Sequence, residues 1–495
     1  MTAVPSIGAV AVHDTGILLE PDHSRVITRF LVPGQEDVGP GDSRAAAVID
    51  RIIQLDEGEV VAAMRDIESR FEDRHEMLHD ILELHASLVS NRIDPAITLT
   101  SDRRLLLGAA FTHEYSIEGA ALCNPSAVLC PGQAGDGEGD AAFVLSVRGI
   151  GEGHRSSIGF RTGVVTAAGE VMIDEPGPFP CTAPASPTVH SRAVVHAQLA
   201  ALDDDHENAA YVLDALPAQF GDAELDARIA ALVANKATRR HTATTIAHLR
   251  RVATSSYRST FSAASELSER VLWPHSPVER QGMEDARFVR FVEDSGAIAY
   301  YATYTAFDGV DVAQHLIATD DFISFTISPM AGAAATGKGL ALFPRRIGGL
   351  YMALSRSDRE TNSIAISDDL SCWPTAHPIQ TPLRPWEIVQ LGNCGSPIET
   401  AAGWLVLTHG VGAMRTYSLG AILLDLDDPR QVIARLDKPI ITPGRDTRDG
   451  YVPNVVYSCG AFAHGDTLVM PYGMGDQAIS IATLSIDQLL GAMHC

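Results

Sequence analysis

The sequence predicts a mainly β protein: a five-bladed β-propeller with an N-terminal helical extension and a helical insertion between the first two blades. Three observations predict it. Four motifs, opening at Gly282, Leu342, Ser396 and Val452, recur roughly 55 residues apart, and each is followed by a strand, a turn and a second strand. From Phe288 onward, short apolar segments come in pairs, such as 297–304 with 315–318 and 467–473 with 479–482. A further unit near Asn124 brings the count to five, and closure of such an array delivers inner-strand polar groups to a shared axis.

In chain order, residues 1–110 form the extension. Within 42–93, Val60, Met64, Ile67, Phe71, Leu78, Leu82 and Val89 recur at steps of three, four or seven, which lines one helix face with apolar groups. That stripe needs cover, and the expectation is that it packs on the propeller or on a second subunit. The catalytic domain then spans 111–490. Its first blade opens with strand candidates at 127–129, 143–148 and 156–160 between Gly-rich turns. The stretch from about 188 to 272, rich in Ala, Leu and Arg, reads as the inserted helices, and Arg239-Arg240-His241 and Arg250-Arg251 in it read as solvated helix faces.

Composition narrows the function. A formal charge of −25 disfavours nucleic acid and anionic membranes as partners. No apolar run approaches the roughly 20 residues of a membrane span, and the Met1-Thr2-Ala3-Val4-Pro5 start lacks the features of a secretion signal, so the expected location is cytoplasmic. Seven cysteines, at 123, 130, 181, 372, 394, 459 and 495, show neither paired metal-knuckle spacing nor an even count, which argues for buried thiols. Apolar stripes in the helical regions could make a homo-oligomer contact.

The motifs of residues 120–490, the helical insertion apart, resemble glycoside hydrolase family 130, the inverting β-mannoside phosphorylases and β-mannosidases built on a five-bladed propeller. The resemblance is carried by Asp285 with Arg287 (Ala286 replaces the family's proline), Phe343-Pro344-Arg345-Arg346-Ile347-Gly348-Gly349, Pro397-Ile398-Glu399-Thr400, Gly403-Trp404-Leu405, His409-Gly410-Val411, Tyr417-Ser418-Leu419-Gly420 and Tyr472-Gly473-Met474-Gly475-Asp476. It implies cleavage of β-mannosidic bonds with inversion, by phosphorolysis to mannose 1-phosphate. It also implies Asp285 as the proton donor, acting through a sugar hydroxyl, and Arg356, His409, Tyr417 and Lys338 as the phosphate site. Phosphate is already anionic, so this chemistry needs cationic and hydrogen-bonding donors but no base to activate a nucleophile. Asn124, Arg148, Arg155, Arg287 and Asp476 are the sugar-binding candidates, since guanidinium forks and carboxylates suit vicinal hydroxyls. Two positions depart from the family: Gly339 stands where an asparagine would, and Gln390 where phosphorylases carry a lysine. No metal or organic cofactor is implied, and inorganic phosphate would be a co-substrate beside a β-mannoside oligosaccharide.

Three alternatives compete. Hydrolysis on the same fold, by an inverting β-mannosidase, requires a second carboxylate to activate water; Glu284 or Glu399 could serve, or either could tether a sugar hydroxyl. A non-catalytic sugar-binding propeller would bind without turnover. His75-Glu76-Met77-Leu78-His79 matches the zinc-peptidase pattern, in which two His one helical turn apart ligate the metal, but no convincing third ligand follows.

Overall fold

A computed structural model describes residues 10–33, 44–133, 135–235, 241–445 and 447–494. The chain forms two compact units. One comprises Asp22–Gly119 with Gly177–Cys181, and the other Met1–Pro21, Ala120–Pro176 and Thr182–Cys495. The boundaries therefore fall at 21/22 and 119/120 rather than at 110.

In the smaller unit, helices α1 (Arg44–Gln54), α2 (Glu57–Phe71), α3 (Leu78–Val89) and α4 (Ser101–Ala110) accompany an antiparallel pair of strands, Val26–Phe30 with Thr112–Ser116. Asp56 starts α2 through a reciprocal capping box with Glu59, satisfying backbone donors that the helix itself leaves open. The apolar stripe is covered from within. Met64, Leu78 and Leu82 pack on Leu105 of α4, while Ala86 and Val89 meet Leu107, Phe111 and Ile49. For these residues α4 supplies the cover expected from the propeller or a second subunit, while Ile67 and Phe71 are only half-buried. The actual partner, α4, is ten residues long, too short for periodicity to mark it.

The larger unit is mainly β. Five antiparallel meanders follow one another among the described residues. The first runs through Ala121–Leu129, Ala141–Ile150, Ser156–Val165 and Val171–Ile173. The second runs through Gly282–Val292, Ile298–Phe307, Val312–Thr319 and Ser324–Pro329, with Tyr257–Thr260 added outside. Gly282 and Ser156 join these two through one parallel pair, and a Cβ on Gly282 would lie 2.7 Å from the Ser156 backbone, so only glycine allows the approach. The third comprises Ala341–Leu342, Tyr351–Ser355, Asn362–Ser367 and Thr375–Gln380, and the fourth centres on Gly403–Val411 and Tyr417–Leu424. In the fifth, Thr467–Met474 and Ala478–Ser485 accept His13–Leu19 as an outer strand, so strands far apart in sequence share a sheet. Residues 13–19 of the expected helical extension are thus a strand of the β unit.

Central strands read as continuous apolar runs because both faces are covered: every residue of Ala121–Leu129 and of Gly403–Val411 is buried. Each meander packs on the next. Phe160 of the first meets Phe288 of the second with centroids 5.9 Å apart, and Phe291 of the second meets Tyr351 of the third at 5.7 Å. Leu354 and Ile364 pack with Trp404 and Ile422, Leu405 and Leu419 with Met470 and Ala482, and Ile479 and Ile481 with Leu122 and Phe143. The insertion between the first two meanders consists of α5 (Arg192–Ala201), α6 (Glu207–Leu213), α7 (Asp222–Asn235) and α8 (Thr242–Ala253), closed around Leu199, Val212, Phe220, Ile229 and Leu249. Its helical part stops at 253, and Tyr257–Thr260 returns to the sheet. Arg250 and Arg251 are exposed as expected, whereas Arg239 and Arg240 lie outside the described residues.

Candidate active site

Three inner strands or turns abandon regular pairing where they bring polar groups together. The ladder slips between Cys123 and Ser126 and again between Glu284 and Arg287, and each slip leaves a residue in the left-handed region: Asn124 with φ 49° and Asp285 with φ 55°. Asp476, in the turn between the last two long strands, has φ 47°. Bulges of this kind re-aim a side chain, and Asn and Asp tolerate the conformation better than other non-glycine residues. Pro125 suits its bulge, having no N–H for the ladder.

Asp285 Oδ1 accepts hydrogen bonds from Asn124 Nδ2 and, at 2.9 Å, from Arg148 Nη1. Arg148 also donates to Glu284 at 2.6 Å and to the Ser156 hydroxyl at 2.9 Å. Lys338 Nζ reaches the other Glu284 oxygen at 2.7 Å. Arg287 is 1% exposed and donates to the Cys394 carbonyl, to the carbonyl of Asp285 itself, both at 2.8 Å, and to the Tyr457 hydroxyl at 2.9 Å. Sequence reading assigns Arg287 to the sugar; the structure has it clamp the bulge that presents Asp285.

Charges in the cluster are set by their neighbours. Burial pushes the Asp285 carboxyl up, but Arg148, Lys338 and Arg287 outweigh it and hold the group well below the usual carboxylate range. Asp476 moves the other way: burial, opposed by Arg148 and reinforced by the Asp285 charge, pushes it up to about 6. One site thus holds an anionic carboxylate beside one that titrates near neutrality. Burial pushes the Cys123 and Cys459 thiols up, and Cys394 up to about 12, so none supplies a thiolate at neutral pH. All six described cysteines are free thiols, and Cys495 lies outside the described residues.

A second group of polar side chains adjoins this cluster. His409 is 1% exposed; its Nδ1 lies 3.2 Å from the Asn393 carbonyl and its Nε2 lies 2.9 Å from Arg356 Nη1. A carbonyl can only accept and a guanidinium can only donate, so Nδ1 carries the proton and Nε2 presents its lone pair. Burial, followed by the charges of Arg356 and Arg287, holds His409 well below its ordinary range, hence neutral. Tyr417 stacks on the imidazole with centroids 5.9 Å apart and planes at 13°, and Tyr457 meets it edge-on at 4.8 Å.

Most of the sequence candidates converge, namely Asn124, Arg148, Glu284, Asp285, Arg287 and Lys338, and likewise Arg356, His409 and Tyr417. Asp476 joins them electrostatically. Two do not. Glu399 is exposed and spends both oxygens on Arg345, at 2.7 and 2.9 Å, in a short strand opposite Trp404. Arg155 lies over the Trp273 ring, its guanidinium 5.7 Å from the centroid. Sequence reasoning missed Tyr457 and Asn393, which have no motif of their own, and Arg415, whose charge reaches Asp476.

The zinc pattern dissolves. Helix α2 ends at Phe71 and α3 begins at Leu78, so His75 precedes the helix that carries His79. His75 pairs with Glu114 and His79 with Glu68, each at 2.9 Å. Among the described residues, no three His, Cys, Asp or Glu side chains gather as metal ligands. No described helix is long and apolar enough to cross a membrane.

An acid-and-arginine cluster at strand ends, beside a neutral imidazole and tyrosine hydroxyls, suits polyhydroxyl or anionic small molecules. The chain belongs to glycoside hydrolase family 130: the family model, described as β-1,4-mannooligosaccharide phosphorylase, matches residues 241–494. It is 35% identical over 227 residues to a 1,2-β-oligomannan phosphorylase of a Thermoanaerobacter species, covering 45% of this chain and 75% of that protein. It is 33% identical, also over 227 residues, to a β-1,2-mannobiose phosphorylase of Listeria innocua, covering 44% of this chain and 62% of that one. The solved structure of a Listeria innocua β-1,2-mannobiose phosphorylase with β-1,2-mannobiose superposes with a TM-score of 0.44 at 22% identity, covering 81% of this chain and 95% of that one.

Proposed function

We propose that this chain is a β-mannoside phosphorylase, cleaving a β-mannosidic bond with inversion to give mannose 1-phosphate. The observation that carries the reading is the Arg356, His409, Tyr417 and Tyr457 group next to Asp285: a guanidinium and two phenols that can donate to an anion, and an imidazole Nε2 that can accept from its hydroxyl, adjoining a carboxylate. In this reading the five meanders are blades of a closed five-bladed propeller, supported by their five successive apolar interfaces.

Hydrogen phosphate, held by donors from Arg356 and Tyr417 and donating its own hydroxyl to His409 Nε2, attacks the anomeric carbon opposite the leaving oxygen. The C–O bond breaks as that oxygen takes a proton from Asp285, relayed by a sugar hydroxyl. The proton count closes. The product forms as a monoanionic phosphate ester, and the proton that it then loses restores the Asp285 carboxyl. Among the protein's own charges Asp285 is anionic, so its protonation accompanies the arrival of phosphate and the withdrawal of Arg148 toward sugar hydroxyls. Lys338 would swing from Glu284 to the phosphate. Arg148, Asn124, Glu284 and Asp476 would hold the sugar, Arg287 would keep the bulge, and Arg155 would stand at the margin. Hydrolysis is less well served. Its two candidate bases are committed, Glu399 to Arg345 and Glu284 to Arg148 and Lys338. A sugar phosphate does not cross membranes unaided, which suits a cytoplasmic enzyme.

Three of the related proteins carry a β-1,2 linkage in their names, so β-1,2-mannobiose is the first substrate to offer, with and without phosphate. Phosphate-dependent formation of mannose 1-phosphate is expected, and Arg356→Ala should raise the phosphate KM by about tenfold or more while leaving the mannobiose KM within about threefold. Rapid release of mannose without phosphate would overturn the reading.

A further inference from the structure

The strand Gln390–Asn393 ends on a side chain that the constellation above leaves unused. Asn393 is 1% exposed, yet neither its Oδ1 nor its Nδ2 has a hydrogen-bond partner among the described residues. A buried carboxamide is normally paired, because leaving both ends without partners is costly. Its surroundings are specific. Its carbonyl accepts from His409 Nδ1, and the preceding Gly392 lies so close under the site that a Cβ there would sit 2.6 Å from His409 Cε1 and 2.9 Å from Arg356 Cδ.

Gly339 locates the open space. A Cβ built on it would fall 3.7 Å from Asn393 Oδ1 and 3.9 Å from both Cβ and Nε of Arg356. The carboxamide and the guanidinium therefore border one small volume, which Gly339 keeps clear. Its φ of +97° is one that residues with a side chain rarely adopt, so position 339 does not supply a polar group and the facing strand does.

We propose that Asn393 is a phosphate-binding residue, its Nδ2–H donating to a phosphate oxygen held alongside Arg356 and His409. A half-turn of the amide about its terminal torsion presents Nδ2 in place of Oδ1 without changing the shape of the side chain. The donor is neutral, so it adds a directional bond to an anion site that has Gln390 where a lysine would bring charge. This rests on the phosphorylase reading, and its test separates the two.

Purified wild type, Asn393→Ala and Asn393→Asp are assayed with β-1,2-mannobiose over a range of inorganic phosphate concentrations, and the rise in Tm on adding phosphate alone is recorded. Asn393→Ala should raise the phosphate KM by about tenfold, leaving kcat at saturating phosphate and the mannobiose KM within about threefold. Asn393→Asp preserves the shape and opposes the anion, so its phosphate KM should rise further and phosphate should no longer raise its Tm. This variant carries the test should the alanine protein fail to fold. A phosphate-dependent wild type with an unchanged phosphate KM in Asn393→Asp overturns the role of Asn393 alone. A shift in the mannobiose KM in place of the phosphate KM assigns the amide to the sugar and also overturns it. A wild type that releases mannose without phosphate overturns the phosphorylase reading, and this proposal with it.

Discussion

His75-Glu76-Met77-Leu78-His79 in the helical unit and Gly282-Met283-Glu284-Asp285-Ala286-Arg287 in the β unit both set ionisable groups side by side, and the backbone beneath them sends them opposite ways. In the first, the helix break between Phe71 and Leu78 separates the histidines, and each finds a carboxylate of its own. In the second, a bulge turns Asp285 into the left-handed region and sets it among Arg148, Asn124 and Arg287, with Lys338 on the adjoining Glu284. One-to-one pairing uses up a group's capacity. Crowding around a bulge leaves groups whose ionisation is displaced, as at Asp285 and Asp476. A short motif's chemistry is therefore decided by the strand or helix that carries it.

The harshest test of this contrast removes the central proton. Asp285→Asn keeps the size and the bond to Asn124 geometry but cannot donate as an acid, and kcat/KM for β-1,2-mannobiose should fall by at least about two orders of magnitude with unchanged circular dichroism. Activity within about fivefold of wild type would remove Asp285 from the acid role.

How much of this was legible follows the same division. Strand pairs could be read because buried strands announce themselves as apolar runs, and the observed Gly403–Val411 and Thr467–Met474 lie where those runs are. Asp285, Arg148 and His409 could be placed because their motifs are contiguous in sequence. The bulges could not: Asn124 and Asp285 take left-handed backbone angles that no local pattern requires. Tyr457 and Asn393 escaped because their importance lies in distant partners, Arg287 and His409. Glu399 misled for the converse reason, since its motif matches the family while its side chain serves Arg345. In the helical unit, periodicity revealed the stripe but carried no sign of the break at 72–77 or of the helix that covers it.

On the helical side, the contrast predicts damage to stability rather than to chemistry. Leu82 is 1% exposed between Met64, Leu78 and Leu105, so Leu82→Ala should lower unfolding free energy by about 3 kcal/mol through lost burial and a residual cavity. Chemical denaturation should show this with both KM values unchanged. A loss of activity without a loss of stability would mean that the helical unit takes part in turnover.

A smaller effect sharpens the central side. Asp476 has its carboxyl pushed up from an ordinary 3.8 to about 6, burial being the main cause. Between about pH 4 and 6 the folded protein holds a proton that the unfolded chain has released, so this contribution to stability is complete below about pH 4 and is lost as pH rises through 6. At pH 8 the buried anion should cost about 3 kcal/mol. Asp476→Asn, uncharged throughout, should therefore be more stable than wild type at pH 8 and equal to it at pH 4. The same stability difference at both pH values would show that the charge of Asp476 is not what the fold resists.

The smallest predicted effect is the most discriminating for the motif that fails. His79 has 57% of its side chain exposed and its partner Glu68 has 35%, and exposed pairs of this kind contribute between nothing and about 1 kcal/mol. His79→Ala should consequently shift stability by less than about 0.5 kcal/mol and leave turnover of β-1,2-mannobiose untouched. Were the pattern a zinc site, the same change would delete one of two histidine ligands, and with it both metal and activity. Metal analysis of wild type and variant, purified without an affinity tag that binds metal, separates the outcomes. Equal activity and no stoichiometric zinc in either protein is expected, because His75 and His79 do not share one helical face and Glu114 and Glu68 already occupy their Nε2 atoms. Stoichiometric zinc lost on His79→Ala would mean that the segment between Phe71 and Leu78 rewinds into a continuous helix around the metal, and that the helical unit, rather than the bulged strands, holds a second chemistry.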